Sequence, residues 1–393
     1  MNSLCAKGIP TLGVDIDRNR ILTLMESVTP NESLSEKALR SYLQDNLFLA
    51  TDNFADIREC SIVIVAVPTP LLPDREPDYG PLKSACALIA PNLKNEALLI
   101  NESTSHPGTL RDLIAPLVAG KRTDMAQGIK FACSPERVNP GDLQYSHSNT
   151  PRVVSGLDEV AKTKVKEFYE NFVNEVLVVS TPEVAEMSKL LENSFRMVNI
   201  SFINEISDYC SNKGIPVREV IAAASTKPFG FMPFFPGPGV GGHCIPVDPV
   251  YLLKNANEDE IELPILESAM KLNENRYRAI VGYLDKQMNG LSGKKILIEG
   301  ITYKPNVRDT RETPATNILR GLKDVGAQAS WHDPLISSWN GSDSTPISAE
   351  IWDAILLLVF HDSTNTSELL ANSKRIFDFT GRMPKFGDQV QIL

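Results

Sequence analysis

Short β-branched runs alternate with helical periodicities through the first half of the chain, the pattern that parallel sheets covered by helices leave in a sequence. Residues 11–15, 61–67, 97–101 and 130–134 read as strands. Each run ends in a polar or turn-forming cluster, and ligands bind along the carboxyl-terminal edge of an open parallel sheet. The loops expected to carry function are therefore VPTP (67–70), ESTSHPGT (102–109) and SPERVNPGD (134–142). The texture changes after Ser180. Pro182 suits a first helical position, Glu183 and Glu186 fall in the opening turns, and no Gly or Pro follows until Gly214. Val184, Met187, Leu190, Leu191, Ser194, Val198 and Phe202 recur at helical spacing. One long helix is predicted, of the kind that forms a spine between domains or a subunit interface. A Gly/Pro-rich stretch, KPFGFMPFFPGPGVGGHCIPVDP (227–249), interrupts the helical texture, which resumes to about Gln287. A second alternation follows, with strands over 294–301, 327–332, 354–360 and 375–379 and a helix over 314–325.

The length of 393 residues calls for two or three domains at roughly 100 to 200 residues each. No apolar run approaches the roughly 20 residues that span a bilayer, so no membrane partner is expected. Lys plus Arg number 39 against 49 Asp plus Glu, a net charge of −10. Such a chain has no global field for phosphate backbones, and nucleic acid is not an expected partner. The six cysteines (5, 60, 86, 133, 210, 244) lack CxxC or CxH spacing, and no leader pattern opens the chain. Neither a disulfide framework nor a metal site is expected, and the location expected is cytoplasmic.

Cys244 lies in GVGGHCIPVD, where glycines let the backbone approach a ligand closely. Most lone cysteines are buried small hydrophobes, but the glycines and the polar neighbours His243 and Asp248 favour a nucleophile here. Asp248 could face the same pocket as an acid or water activator, or simply hold a turn. Lys189 and Asn193, four apart on the long helix, point from one face and can address one ligand. The amides of ENSFRMVNISFINE suit a helix lining a polar cleft better than a solvated face. Thr104 and Glu136 occupy two loops on one sheet edge, where a hydroxyl and a carboxylate could hold water; either alone could be a cap. Asp15 ends the strand TLGVD and Arg20 follows it. An acid so placed in a dinucleotide-binding sheet accepts hydrogen bonds from ribose and favours NAD. The glycine fingerprint that should precede it by about 20 residues is not present, and the spaced glycines Gly237, Gly239 and Gly242 lie among prolines with no strand leading in. Lys304, Arg308 and Arg311 stand at the first strand-to-helix turn of the second alternation, either as surface charges or converging on an anion such as a diphosphate.

Taken in order, VPTP, ESTSHPGT, SPERVNPGD, AEMSKLLENSFRMVNISFINE, GPGVGGHCIPVDPVYL and YKPNVRDTRETPA resemble the UDP-glucose/GDP-mannose dehydrogenase family over essentially the whole chain. The GGHCIP loop is similar to that of the branch acting on UDP-N-acetylhexosamines. The resemblance implies an α/β fold with two Rossmann-like doubly wound domains joined by a central helical domain containing one long helix. Residues 1–178 would bind NAD, 179–288 would form the dimerisation domain with the nucleophile loop, and 289–393 would bind the UDP-sugar. The implied activity is NAD-dependent oxidation of the sugar's primary alcohol to a carboxylate in two steps, through a thiohemiacetal and a thioester on Cys244. Lys189 then stabilises the oxyanion, Asn193 holds water, Asp248 flanks the nucleophile, and Thr104 and Glu136 arrange water. Asp15, Arg20, Thr69, Ser103 and Thr104 are implied cofactor contacts. Arg276, Lys304, Arg311, Phe235 and Gly241 are implied substrate contacts, and a UDP-sugar and a second copy of the chain are the implied partners.

Two departures qualify the match. Pro140 stands where the UDP-glucose enzymes carry a second glutamate. The chain also opens partway through what resembles the family's first helix, so the first strand of the amino-terminal sheet and its glycine loop are expected to be missing. An active dehydrogenase and a truncated, catalytically impaired UDP-sugar-binding chain both stay open, as does the identity of the sugar.

Overall fold

The computed structural model describes residues 1–29, 34–121, 128–138 and 144–393. The chain divides into two compact units, Met1–Glu192 and Asn193–Leu393. The first opens with a short helix α1 (Asn2–Cys5), strand β1 (Thr11–Val14), helices α2 (Arg18–Met25) and α3 (Glu36–Gln44), and strand β2 (Phe48–Thr51). Asp17 caps α2 by accepting from the Asn19 and Arg20 N–H groups, and Ser35 caps α3 through the Ala38 N–H. These caps satisfy donors that a helix start leaves orphaned. β1 and β2 pair in parallel as a two-stranded sheet of their own.

The main sheet of this unit has the order β3-β4-β5-β6-β7, from β3 (Ile62–Val65), β4 (Leu98–Asn101), β5 (Lys130–Cys133), β6 (Arg152–Gly156) and β7 (Val176–Val178). β4 is buried along its whole length, as a near-continuous apolar run in a two-sided parallel sheet should be. Leu99 packs on one face with Leu82 and Cys86 of α4 (Gly80–Ile89). Leu98 and Ile100 pack on the other with Val165 and Tyr169 of α6 (Glu159–Glu170), which follows α5 (Ala115–Gly120) in the chain. β6 runs antiparallel to β5. A parallel return needs a crossover, and the described residues between the two strands form no helix. The reversed strand therefore starts at the edge where β4 and β5 end.

Helix α7 (Pro182–Lys213) crosses the boundary between the units. Glu186, Lys189, Asn193, Ser194, Ser201, Asn204 and Ser207 are buried, whereas Val184, Leu191, Phe195, Phe202 and Tyr209 are 44–60% exposed. At about 100° per residue these five apolar side chains share an arc of about 40°.

The second unit continues with α8 (Val217–Ser225), α9 (Asp248–Glu258) and α10 (Pro264–Gln287). Its sheet, β14-β13-β12-β8-β9, is parallel throughout. The strands are β8 (Lys295–Glu299), β9 (Gln328–His332), β12 (Ala354–Leu357), β13 (Ile376–Asp378) and β14 (Val390–Ile392), with a short hairpin of β10 (Ser338–Trp339) and β11 (Ser342–Asp343). Helices α11 (Ala315–Asp324) and α12 (Thr366–Ala371) complete the unit. Ile296, Ile298, Leu356 and Phe377 meet Ile318 and Leu322 of α11 on one face, and Leu297, Ile355, Leu357 and Ile376 pack on the other. Among the described residues no helix is long and apolar enough to cross a membrane.

Candidate active site

In the second unit the Cys244 side chain is exposed. Its carbonyl accepts from the N–H groups of Val247 (3.1 Å) and Asp248 (2.8 Å), the turn that starts α9. Asp248 is 1% exposed, and Asn193 Nδ2 donates to its Oδ2 at 2.5 Å. The two glycines ahead of His243 are required by close approach. Gly242 has φ +88° and donates its N–H to the Arg311 carbonyl at 3.1 Å, and a Cβ there would lie 2.8 Å from Tyr303 Cδ2. A Cβ on Gly241 would lie 2.8 Å from the Glu312 carbonyl oxygen. The Cys244 loop is thus laid directly on the 303–312 segment.

That packing gives Cys244 charged company. Arg196, Tyr303 and Arg311 interact electrostatically with it. Burial pushes the Arg196 guanidinium down, with Cys244 and Tyr303 acting in the opposite sense. Arg311 pairs with Asp309, Nη2 to Oδ2 at 2.6 Å. Burial alone would raise the Asp309 carboxyl, but Arg311 holds it below the usual carboxylate range. Cations beside a partly exposed thiol favour the thiolate. The sequence reading overlooked Arg196, although it follows Lys189 by seven residues and Asn193 by three and so shares their helix face.

In the first unit, Lys189 is buried and donates from Nζ to the Glu136 carbonyl at 2.5 Å. Glu136 Oε1 accepts from the N–H groups of Arg137 (2.7 Å) and Val138 (2.8 Å), and Oε2 accepts from Arg152 at 2.9 Å. Burial would raise its carboxyl, but the Arg152 charge and the backbone donors bring it below the ordinary value. The Glu136 N–H reaches the Glu102 carbonyl at 3.4 Å, joining the loops after β4 and β5. Thr104 is half-buried on the first of these loops. Ser103 and Thr69 are buried, and Ser103 Oγ donates to the Val67 carbonyl at 2.8 Å, stitching the loops after β3 and β4. Pro140 lies outside the described residues.

Asp15 directly follows β1, accepting from the Asp17 N–H (2.9 Å) and from Arg20 Nη1 (3.0 Å). About a third of its side-chain surface stays exposed. An accessible carboxylate at a strand's carboxyl end suits a ribose, so this part of a dinucleotide site fits the residues present. Other expected contacts have structural partners. Arg276 is buried, with Nη1 2.6 Å from Asp208 Oδ1 and Nε 3.3 Å from the Gly237 carbonyl, so it ties the Gly/Pro-rich stretch to α7. The Lys304 carbonyl accepts from Thr302 Oγ1 at 3.0 Å, Arg308 is exposed, and the Arg218 guanidinium lies 5.8 Å from the exposed Phe235 ring. A cavity of about 230 Å³ at the strand ends of the second sheet is bordered by Thr302, Tyr303, Pro314, Phe360 and Arg382. Among the described residues no cluster of His, Cys, Asp and Glu could hold a metal ion.

This fold, with parallel sheets in Rossmann-like domains, is that of a three-domain α/β dehydrogenase. The chain belongs to the UDP-glucose/GDP-mannose dehydrogenase family: residues 1–173 match its NAD binding domain, 183–275 its central domain and 297–383 its UDP binding domain. NAD is the cofactor this domain set takes. The chain is 32% identical over 371 residues to the UDP-N-acetyl-D-glucosamine 6-dehydrogenase of Pseudomonas aeruginosa, covering 89% of this chain and 85% of that protein. It is 33% identical over 368 residues to the UDP-N-acetyl-D-mannosamine dehydrogenase of Methanocaldococcus jannaschii, covering 91% and 82%. The structure of a UDP-D-ManNAc dehydrogenase from Pyrococcus horikoshii matches with a TM-score of 0.88 at 29% identity, over 100% of this chain and 95% of that one.

Proposed function

We propose that the protein oxidises the primary alcohol of a UDP-N-acetylhexosamine to the carboxylate in two NAD-dependent steps, with Cys244 as the nucleophile. The observation that carries this reading is the exposed Cys244 thiol in the company of Arg196, Tyr303 and Arg311, on the turn whose Asp248 is bonded to Asn193. An aldehyde has no electron-rich oxygen able to expel hydride, so a second oxidation needs an adduct first. The Cys244 sulfur adds to the carbonyl carbon, and the oxygen takes a proton to give a thiohemiacetal. Oxidation of that adduct leaves a thioester. Water then attacks the thioester, the C–S bond breaks, and the carboxylate and the free thiol result. NAD+, when held by the amino-terminal domain, would supply the hydride acceptor for both oxidations. Lys189 opposes negative charge on the sugar oxygen, and the Asn193–Asp248 pair, with Glu136 and Thr104, orders water.

Asp15 and Arg20 would hold the adenosine side of NAD, with Thr69, Ser103 and Thr104 lining the strand-end loops. Lys304, Arg311 and the cavity beside Arg382 would take the UDP group, and Phe235, Gly241 and Arg276 would border the sugar. The organisation follows three domains, 1–178, 179–288 and 289–393. The exposed stripe Val184, Leu191, Phe195, Phe202 and Tyr209 would pair with a second copy, since a stripe of that length is the sort of apolar surface that subunit interfaces cover. Six free cysteines suit the reducing cytoplasm.

The test is NADH absorbance with UDP-N-acetylglucosamine, UDP-N-acetylmannosamine and UDP-glucose. Turnover with one N-acetylhexosamine nucleotide is expected, well above that with UDP-glucose. Tight UDP-sugar binding with no NADH from any of the three would favour the impaired chain instead.

A further inference from the structure

Arg152 opens β6, and because that strand is reversed its side chain emerges where β4 and β5 end. The side chain is 2% exposed. Its Nη2 lies 3.0 Å from Glu102 Oε1, 2.9 Å from Glu136 Oε2 and 3.0 Å from His147 Nε2. Tyr169 places its ring 5.0 Å from the guanidinium carbon and donates its hydroxyl to the same Glu102 oxygen. A terminal guanidinium nitrogen carries two protons and cannot serve three acceptors at once. The other terminal nitrogen, Nη1, is buried with no partner among the described residues. An ion pair kept for stability alone would replace more of the lost hydration than this.

The cluster reaches the proposed chemistry through one residue. Glu136 binds Arg152 with its carboxylate and receives Lys189 Nζ on its main-chain carbonyl. The next residue, Arg137, pairs with Glu192 at 2.6 Å, three residues beyond Lys189 on α7. Two adjacent residues thus grip the helix on either side of one turn, and Arg152 anchors the first of them from behind. We propose that Arg152 is a positioning residue: by fixing Glu136 it sets where the Lys189 ammonium stands. This rests on the proposed function, which gives Lys189 its task.

The groups facing Glu136 and Arg152 are Glu102, His147, Tyr169, Arg137 and Lys189, and the amino group of Met1 acts on Glu102 and His147. The full chain carrying Arg152→Met, Arg152→Lys or Glu136→Gln is compared with the parent for kcat, KM, pH profile and urea unfolding. Arg152→Met should lower kcat by about 100-fold, the loss that a displacement of about 1 Å brings. The KM values for NAD+ and the UDP-sugar should stay within about threefold, because ground-state binding is untouched. The acid limb of kcat should move to higher pH as Glu136 loses its cation, and Arg152→Lys should recover much of the rate. Because loss of a buried guanidinium can unfold a protein, Glu136→Gln is read in parallel and should reproduce the kcat loss. A kcat within about threefold of the parent in Arg152→Met or Glu136→Gln, no recovery with Lys, or an unmoved acid limb would overturn the proposal. Acetylation of Lys189 by acetic anhydride, mapped by mass spectrometry, reads the same coupling without turnover. It should rise several-fold in Arg152→Met and Glu136→Gln, and an unchanged rate would count against Arg152 even if the parent proved inactive.

Discussion

Replacing Gly242 by alanine tests whether the Cys244 loop is held as described. The residue has φ +88°, where a side chain costs about 1–2 kcal/mol. The added methyl would sit 2.8 Å from both Cδ2 and Cε2 of Tyr303, well inside contact distance. Relieving such overpacking typically costs about 1–3 kcal/mol, so a total loss of about 2–5 kcal/mol is expected. All three tryptophans, Trp331, Trp339 and Trp352, lie in the second unit, so their fluorescence follows its unfolding in urea. At an m-value of about 2 kcal/mol/M the midpoint should fall by about 1–2.5 M. Alkylation of Cys244 by iodoacetamide should change in parallel, because the loop must shift off Tyr303. Gly282 supplies the contrast: it lies within α10, is exposed, and would meet nothing within 4 Å on gaining a Cβ. Gly282→Ala should stabilise by up to about 1 kcal/mol. Equal midpoints for Gly242→Ala and the parent would refute the close packing on which the loop geometry rests.

Removing a cation from beside the thiol in Arg196→Gln should shift the pH dependence of Cys244 alkylation to higher pH, with Arg196→Lys intermediate; coincident curves would remove Arg196 from the site. Burial pushes the Glu186 carboxyl up to about 7 against the N–H groups of Gly108 and Leu110 that it accepts from. The folded chain then holds a proton that the unfolded chain releases near 4.5, so this group's contribution to stability is greatest below about pH 4.5 and is lost as pH rises towards 7. Glu186→Gln should accordingly gain on the parent in urea midpoint between about pH 5 and pH 8, and a difference constant across that window would contradict the shift. A charge in the exposed stripe, as in Phe202→Glu, should leave the monomer folded and halve the mass seen by light scattering; an unchanged mass would show that the stripe is not the subunit contact.

Much of the architecture was legible because apolar runs ending in turn residues are strong signals. Thr11–Val14, Ile62–Val65, Leu98–Asn101 and Lys130–Cys133 all fall inside expected strands, and α7 ends just before Gly214. Strands β2, β6 and β7 were not read, since three to five residues without clear flanking signals do not separate from loop. Periodicity announces a helix face without saying which face is covered. In α7 it is Glu186, Lys189 and Asn193 that are buried, whereas Val184, Leu191 and Phe202 are exposed. Candidates confined to one short segment, such as Cys244 with Asp248, could be singled out from spacing. Arg152 could not, because Glu102, Glu136 and Tyr169 reach it from separate segments of the chain. The tie between Arg276 and Asp208, 68 residues apart, was hidden for the same reason.

The most direct measurement is the ratio of NADH formed to uronic acid released by the parent and by Cys244→Ala, with the favoured UDP-N-acetylhexosamine as substrate. Two NADH per acid are expected from the parent. The alanine variant should release no acid, stopping at the aldehyde with no more than one NADH per sugar consumed. Acid formation by Cys244→Ala at the parental rate would show that the sulfur is not the nucleophile.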